Sequence, residues 1–263
     1  MSYENLELER AGHVGIIRMN RPEVLNALSP GLVLDLNNAL DELEGKFPDI
    51  RCIILTGTGR GFCSGADLSG QIASVSENPT RPSTYNPRSS IPPLAPRMRR
   101  VAQPIIAAVN GIAAGAGFSL SLASDIRIAS DQARFASIFV KRGLVPDTGS
   151  SVSMVDLVGL GIASEMAFTG RLFDAQWALE KGVVNSVVPH DPLMDAALAL
   201  ANEISGNPPL TVRSAKALLN RRFFLEDSLA HEHEANAPSM GSDDRTEALK
   251  SFVEKRTPTF TGR

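Results

Sequence analysis

Ile105-Ile106-Ala107-Ala108-Val109-Asn110-Gly111-Ile112-Ala113-Ala114-Gly115-Ala116-Gly117-Phe118 is the stretch on which the reading of this chain turns. It belongs to an uncharged run from Ile105 to Ala123, about the length that crosses a bilayer, and contains Gly111-x-x-x-Gly115. Asn110, Ser119 and Ser121 interrupt the run, its glycines gather in the middle, and alanine outnumbers leucine. A buried strand over Ile105–Val109, a glycine turn and a buried helix starting after Gly115 account for these features better than a membrane span.

A second junction of the same kind, Gly61-Phe62-Cys63-Ser64-Gly65-Ala66-Asp67-Leu68, follows the apolar run Ile50–Thr56. Small residues let backbone N–H groups face an incoming ligand, and a helix opening after Gly115 would aim its positive end there. Two N–H groups converging on one carbonyl oxygen would form an oxyanion hole. The residues by themselves equally allow two tight turns that need small side chains.

Working outward, Val14–Met19 reads as a strand that stops at Asn20-Arg21-Pro22. Ser29 is an N-cap with Pro30 at the first helical position, and Leu32, Leu36, Leu40 and Leu43 recur at helical spacing. Ile126–Ala129 is a further strand. Strand, helix and strand with glycine-rich joints predict an α/β fold with β-α-β crossovers and a parallel sheet. Ser69 to Pro96, rich in Pro, Ser, Asn and Arg, reads as a surface loop beside the site. After Gly143 helices are expected at Ser151–Leu157, Ala163–Phe168, Ala175–Lys181 and Pro192–Ile204. A helical tail from Pro209 to Arg256 breaks at Pro238 and Gly241. The division expected is a core over 1–206 and a C-terminal helical region over 207–263.

The chain has 263 residues with 43% hydrophobic, 21% charged and net charge −3, which excludes a disordered chain and gives no basic field for nucleic acid or a membrane surface. Cys52 and Cys63 read as buried reduced thiols, too few for a disulfide scaffold or a four-cysteine zinc site. The polar, acidic Met1–Arg10 does not read as a signal peptide, so a cytoplasmic setting is expected. In Gly57-Thr58-Gly59-Arg60-Gly61 the third glycine of a dinucleotide fingerprint falls at Phe62, and no Gly-Lys-Ser/Thr occurs. The hydrolase elbow fails too, because Cys63-Ser64-Gly65 lacks its first glycine. His231 and His233, two residues apart, diverge on a helix and read as a solvated face rather than a metal site.

Several stretches carry a family likeness. They are Met19-Asn20-Arg21-Pro22, Asn26-Ala27-Leu28, Ser64-Gly65-Ala66-Asp67-Leu68, Gln103-Pro104 through Ala114-Gly115-Ala116-Gly117, and Ser124-Asp125-Ile126. Leu144-Val145-Pro146-Asp147, Thr169-Gly170, Gly182-Val183-Val184 and Phe252-Val253-Glu254-Lys255-Arg256 follow in order. The chain resembles the crotonase superfamily of enoyl-CoA hydratases and isomerases over nearly its whole length. The resemblance implies a crotonase-like ββα superhelix with a C-terminal helical region that trimerises or acts as a lid. It also implies an acyl-CoA thioester substrate, assembly as a homotrimer or a dimer of trimers, and no cofactor beyond the coenzyme A of the substrate. No metal ligands are called for.

The same resemblance places the thioester oxygen against the N–H groups of Ala66 and Ala116. It lines the ligand with Ala66, Asp67, Leu68, Gly115, Ser119 and Phe139, and brings Lys255 near the coenzyme A phosphates. The hydratase pattern carries glutamates at the positions that here are Ser119 and Phe139, and neither can serve as an acid/base. Asp147 sits where several family isomerases place their acid/base carboxylate, so the expected reaction is double-bond isomerisation with Asp147 moving the proton. Asp147 as an N-cap of the following helix is the competing structural reading. Hydration, thioester hydrolysis and a non-catalytic acyl-CoA binder are the functional alternatives. Arg97, Arg99 and Arg100 read as a solvated cluster before a phosphate site.

Overall fold

The computed structural model of the protein describes residues 3–67, 86–142, 144–220 and 242–263. A hairpin opens it: β1 (Leu6–Ala11) runs antiparallel to β2 (Val14–Met19), with Leu6 opposite Met19. Three strand pairs follow: β3 (Cys52–Gly57) with β4 (Gly61–Cys63), β5 (Ile105–Val109) with β6 (Ile112–Ala114), and β7 (Ile126–Ser130) with β8 (Arg134–Ala136). The first member of each pair enters a six-stranded sheet and the second a four-stranded one. With β9 (Phe173–Asp174) and β10 (Ser186–Val188), the orders are β1-β2-β3-β5-β7-β10 and β4-β6-β8-β9. From β2 to β10 the large sheet is parallel throughout. The chain thus winds as a superhelix of strand–strand–helix turns, changing sheet at each short joint.

Both faces of the large sheet are covered at its centre, which is why β3 and β5 read as largely apolar runs. Ile53, Leu55, Ile105, Ala107 and Val109 join the main core, while Cys52, Ile54, Ile106 and Ala108 alternate toward a second one. On the first face lies α1 (Pro30–Glu44), burying Leu32, Leu36, Leu40 and Leu43; on the second lies α6 (Leu193–Ser205), through Leu193, Ala197 and Ala201. Each of these leucines contributes about 1.5–3 kcal/mol when fully buried. Ser29 caps α1 as expected, accepting Leu32 N–H at 3.2 Å.

Two expectations need correction. The loop expected to run to Pro96 ends earlier, because α2 (Leu94–Arg100) buries Leu94, Ala95 and Met98, and Pro96 falls in its first turn, where an N–H is dispensable. Residues 69–85 of that loop lie outside the described residues, as do Leu68, His231, His233 and the break at Pro238 and Gly241. Two of the three arginines depart from a solvated cluster: Arg97 pairs with Asp41 and Glu44, and Arg99 donates to Leu122 O, while Arg100 is exposed. The helices expected at Ser151–Leu157 and Ala163–Phe168 both form, as the two stretches of α4 (Ser150–Thr169), which a non-helical Gly159 (φ 74°, ψ 164°) divides at a kink. Between β6 and β7 runs α3 (Ala116–Ala123), and α5 (Ala175–Glu180) precedes β10.

Past residue 207, α7 (Pro209–Leu219) is fastened to the core by one buried ammonium. Lys216 donates to Asp125 Oδ2 (2.8 Å), Gln103 O (2.9 Å) and Met98 O (3.3 Å), and Asp125 Oδ2 also accepts Ile105 N–H (2.7 Å). Burial lowers the Lys216 pKa, and Asp125 opposes that shift. We expect Lys216→Met to lose about 3 kcal/mol in urea unfolding, because it strands Asp125 and two carbonyls. A loss under about 1 kcal/mol would mean that the pair behaves as an exposed one.

Candidate active site

β4 and β6 pair in parallel, Gly61 opposite Ile112 and Cys63 opposite Ala113, so the two glycine-rich junctions leave adjacent strands in the same direction. The approach is closer than side chains allow. A Cβ on Gly117 would stand 2.1 Å from Cys63 O, and one on Gly65 (φ +105°) would stand 3.0 Å from Ala114 O and 3.6 Å from Ala116 N. Glycine is required at both positions, at Gly65 for its backbone conformation as well.

This approach brings the main chain just before Ala66 against the start of the helix at Ala116. Around Ala66 the chain bridges Leu28 in parallel: Leu28 N–H donates to Gly65 O (2.8 Å) and Asp67 N–H to Leu28 O (3.1 Å), so Ala66 N–H points to the other side. Ala116 opens α3, where an N–H has no intrahelical acceptor. α3 carries no charged residue and is buried along its whole length, so its positive end meets the site with no competing anion on the helix.

Two buried asparagines fix the joints beneath. Asn26, at φ +57°, accepts Arg21 N–H and donates to Thr58 O (3.0 Å) and Gly61 O (2.8 Å). Asn110 donates to Gly59 O (2.9 Å) and Gly61 O (3.2 Å) and accepts Gly57 N–H (3.3 Å). Both stretches belong to the family-like motifs, yet the role of these amides in locking β3–β4 to its neighbours was not read from them.

Asp147 lies in the loop before α4, half-buried, and is tied to α3. Its main-chain carbonyl accepts the hydroxyl of Ser119 (3.1 Å), together with Ser150 N–H (3.0 Å) and Ser150 Oγ (2.7 Å). The capping reading is not realised: Gly149 is the N-cap of α4 and makes no side-chain cap, and the Asp147 carboxylate instead accepts Thr148 Oγ1 at 2.9 Å. The structure thus brings Ala66, Gly115, Ala116, Ser119 and Asp147 together.

The other expected positions divide. Phe139, 5% exposed, sits in a 3-10 turn over Ile138–Arg142 beside the site, its carbonyl accepting Leu144 N–H. Asp67 is held by Arg21, Nη1 to Oδ2 at 2.9 Å, and Arg21 also donates to Ala27 O. That ion pair braces the loop rather than presenting a bare carboxylate. Lys255 is exposed just past α8 (Asp243–Glu254), and among the described residues no hydrogen bond or ion pair carries it to the two loops. The tail beyond it is anchored by Arg51 donating to Phe260 O (2.6 Å), at the start of β3 and so at the opposite end from the site. Among the described residues no three His, Cys, Asp or Glu side chains gather as metal ligands do. Burial pushes the thiols of Cys52 and Cys63 up to about 12, leaving both unreactive.

Comparison with known proteins agrees with this geometry. The family model described as enoyl-CoA hydratase/isomerase matches residues 9–263. A putative enoyl-CoA hydratase/isomerase of Bacillus subtilis is 38% identical over 253 residues, covering 95% of each chain. A probable enoyl-CoA hydratase of Mycobacterium tuberculosis is 35% identical over 265 residues, all of both chains. A solved structure of a putative enoyl-CoA hydratase/isomerase from Mycobacterium abscessus superposes with a TM-score of 0.91 at 31% identity, covering 98% of this chain and 100% of that one.

Gly117→Ala tests the close approach on which the site depends. The added methyl meets a backbone carbonyl that cannot rotate away, so we expect a loss of about 2–3 kcal/mol and weakened acyl-CoA binding. Thermal unfolding and calorimetric titration with acetyl-CoA read the two effects. Unchanged values in both would refute the packing described.

Proposed function

The chain belongs to the enoyl-CoA hydratase/isomerase family, and within it we propose that this protein isomerises the double bond of an enoyl-CoA thioester. The observation that carries this reading is the carboxylate-bearing residue Asp147, its main chain tethered to the helix whose first N–H is that of Ala116. The two positions where the resemblance puts the hydratase glutamates hold Ser119 and Phe139.

In the proposed reaction Ala66 N–H and Ala116 N–H hold the thioester oxygen. The Asp147 carboxylate takes a proton from C2 of a 3-enoyl-CoA, and the C–H electron pair moves into the thioester, giving a dienolate whose charge rests on that oxygen. The carboxylic acid then returns the same proton to C4, and the double bond ends between C2 and C3. Nothing is oxidised or reduced, and the only coenzyme involved is the coenzyme A of the substrate. General acid/base work by the carboxylate contributes roughly 10²–10⁴-fold and each oxyanion donor roughly 10²–10³-fold.

Several relatives are named as hydratases, including a 2,3-dehydroadipyl-CoA hydratase of Escherichia coli at 34% identity, so hydration is the second reading. Adding water asks for activation of the nucleophile and protonation of carbon at once, which one carboxylate must then do alone. For the assembly we propose a homotrimer or a dimer of trimers. The apolar residues Val145, Leu160, Phe168 and Leu172, 60–77% exposed, support burial against a second copy of the chain. Lys255 would then reach coenzyme A phosphates across a subunit boundary.

The wild-type protein should convert 3-hexenoyl-CoA to 2-hexenoyl-CoA, with hydration of 2-hexenoyl-CoA far slower; the reverse ranking would favour the hydratase reading. Asp147→Asn should lower kcat by roughly 100-fold or more with little change in ligand affinity, and near-normal turnover would sink the mechanism. Ala116→Pro removes one N–H at the helix position that best tolerates proline. We expect a folded protein with turnover reduced by roughly 100-fold or more, and full activity would show that the hole is misassigned.

A further inference from the structure

Thr148 occupies a conformation that its side chain disfavours. Its φ is +52°, a region that β-branched residues rarely enter, and it is buried directly after Asp147. Such an outlier persists only where the surroundings impose it. Here it turns the Thr148 hydroxyl back onto the preceding side chain, Oγ1 to Asp147 Oδ1 at 2.9 Å. An ionised carboxylate only accepts, so Thr148 is the donor. On the main-chain side, Ser119 Oγ lies 3.1 Å from Asp147 O and 3.2 Å from Gly115 O, and its one proton is shared between two carbonyls. Ser119 is 1% exposed, so this hydroxyl is spent on the backbone and not on solvent.

We propose that Thr148 and Ser119 are positioning residues for the acid/base: Thr148 holds Asp147 Oδ1, leaving Oδ2 to carry the proton, and Ser119 keys the Asp147 backbone to α3. This inference rests on the isomerase reading above and adds the means by which a loop carboxylate keeps a fixed orientation toward the oxyanion pair. It also gives Ser119, at a hydratase glutamate position, a role that needs no acid/base chemistry. A carboxylate free to rotate would divide its time among orientations, and the rate of proton transfer would fall without any change in thioester binding.

The test compares Thr148→Val, Thr148→Ser and Ser119→Ala with Asp147→Asn, using 3-hexenoyl-CoA in steady-state kinetics and thermal unfolding. Valine keeps the β-branched shape at the same φ and deletes only the donor. We expect kcat to fall about tenfold in Thr148→Val, the rate equivalent of one charge-assisted hydrogen bond, with KM within about twofold. Thr148→Ser restores the hydroxyl and should recover kcat to within about threefold of the wild type. Ser119→Ala should lower kcat in the same direction with KM again unchanged. A Thr148→Val protein with wild-type kcat, beside an Asp147→Asn protein that has lost turnover, overturns the positioning role and leaves the isomerase reading standing. Near-normal turnover in Asp147→Asn overturns both. A fall in Thr148→Val that serine does not rescue, or that tracks a lowered melting temperature, assigns Thr148 to packing alone.

Discussion

The contact between the start of α3 and the end of β4, backbone on backbone at Gly117 and Cys63, is the constraint from which the site follows. Any side chain at Gly117 would hold the helix away from the strand. The separation between Ala66 N–H and Ala116 N–H is set by how near those two pieces of main chain can lie. Side-chain donors could be placed at the same point, but they would carry rotamer freedom that a backbone N–H lacks. The tightness of the approach is therefore the source of preorganisation, and the neighbouring glycines and alanines are its consequence.

Holding two backbones that close requires pinned joints, because each change of sheet exposes carbonyls and N–H groups that no ladder satisfies. Asn26 and Asn110 meet that need from opposite sides. Both donate to Gly61 O, and between them they also bind Thr58 O, Gly59 O and Gly57 N–H. An amide carries donors and an acceptor on one short stem, so one buried side chain can close a turn whose own groups do not pair. Replacing either amide with an apolar group of like size would leave several polar groups buried and unmatched in one joint.

How far the sequence could be read depends on the range of the interaction involved. The doubly buried strands are legible in Val14–Met19, Ile105–Val109 and Ile126–Ser130, since apolar composition and punctuation are local. So are α1 with its Ser29 cap and the helix start after Gly115. The small sheet is not legible: β4, β6, β8 and β9 span only two or three residues each and draw their stability from partners 22 to 51 positions away. β1 escaped notice because Glu7, Glu9 and Arg10 on an edge strand hide the alternation of Leu6 and Leu8. In the candidate site, Ala66, Ala116 and Asp147 are singled out by the family likeness and not by local pattern. Ser119 binding Asp147 O spans 28 residues and leaves no local pattern, and the Arg21–Asp67 pair spans 46.

The electrostatics of α3 join these observations. Eight residues without a formal charge have a partial positive charge at one end and a partial negative charge at the other. At the negative end β7 supplies Arg127, whose guanidinium donates to Ser124 O (2.7 Å), Ser121 O (3.5 Å) and Val183 O (2.8 Å). Burial lowers its pKa to about 10, still far enough above neutrality to keep the cation. A buried cation at the carboxyl end pairs with carbonyls that carry the negative end of the dipole. The amino end is left to the proposed substrate, whose thioester oxygen becomes negative only as the proton leaves carbon. The helix is then matched at one end by a permanent charge and at the other by a charge that exists only during reaction. A stationary carboxylate in place of Ser119, one turn from that amino end, would compete with the transient one and raise the cost of the dienolate unless it shared in the chemistry. A neutral hydroxyl turned onto main-chain carbonyls avoids that competition, as the proposed proton shift by Asp147 requires.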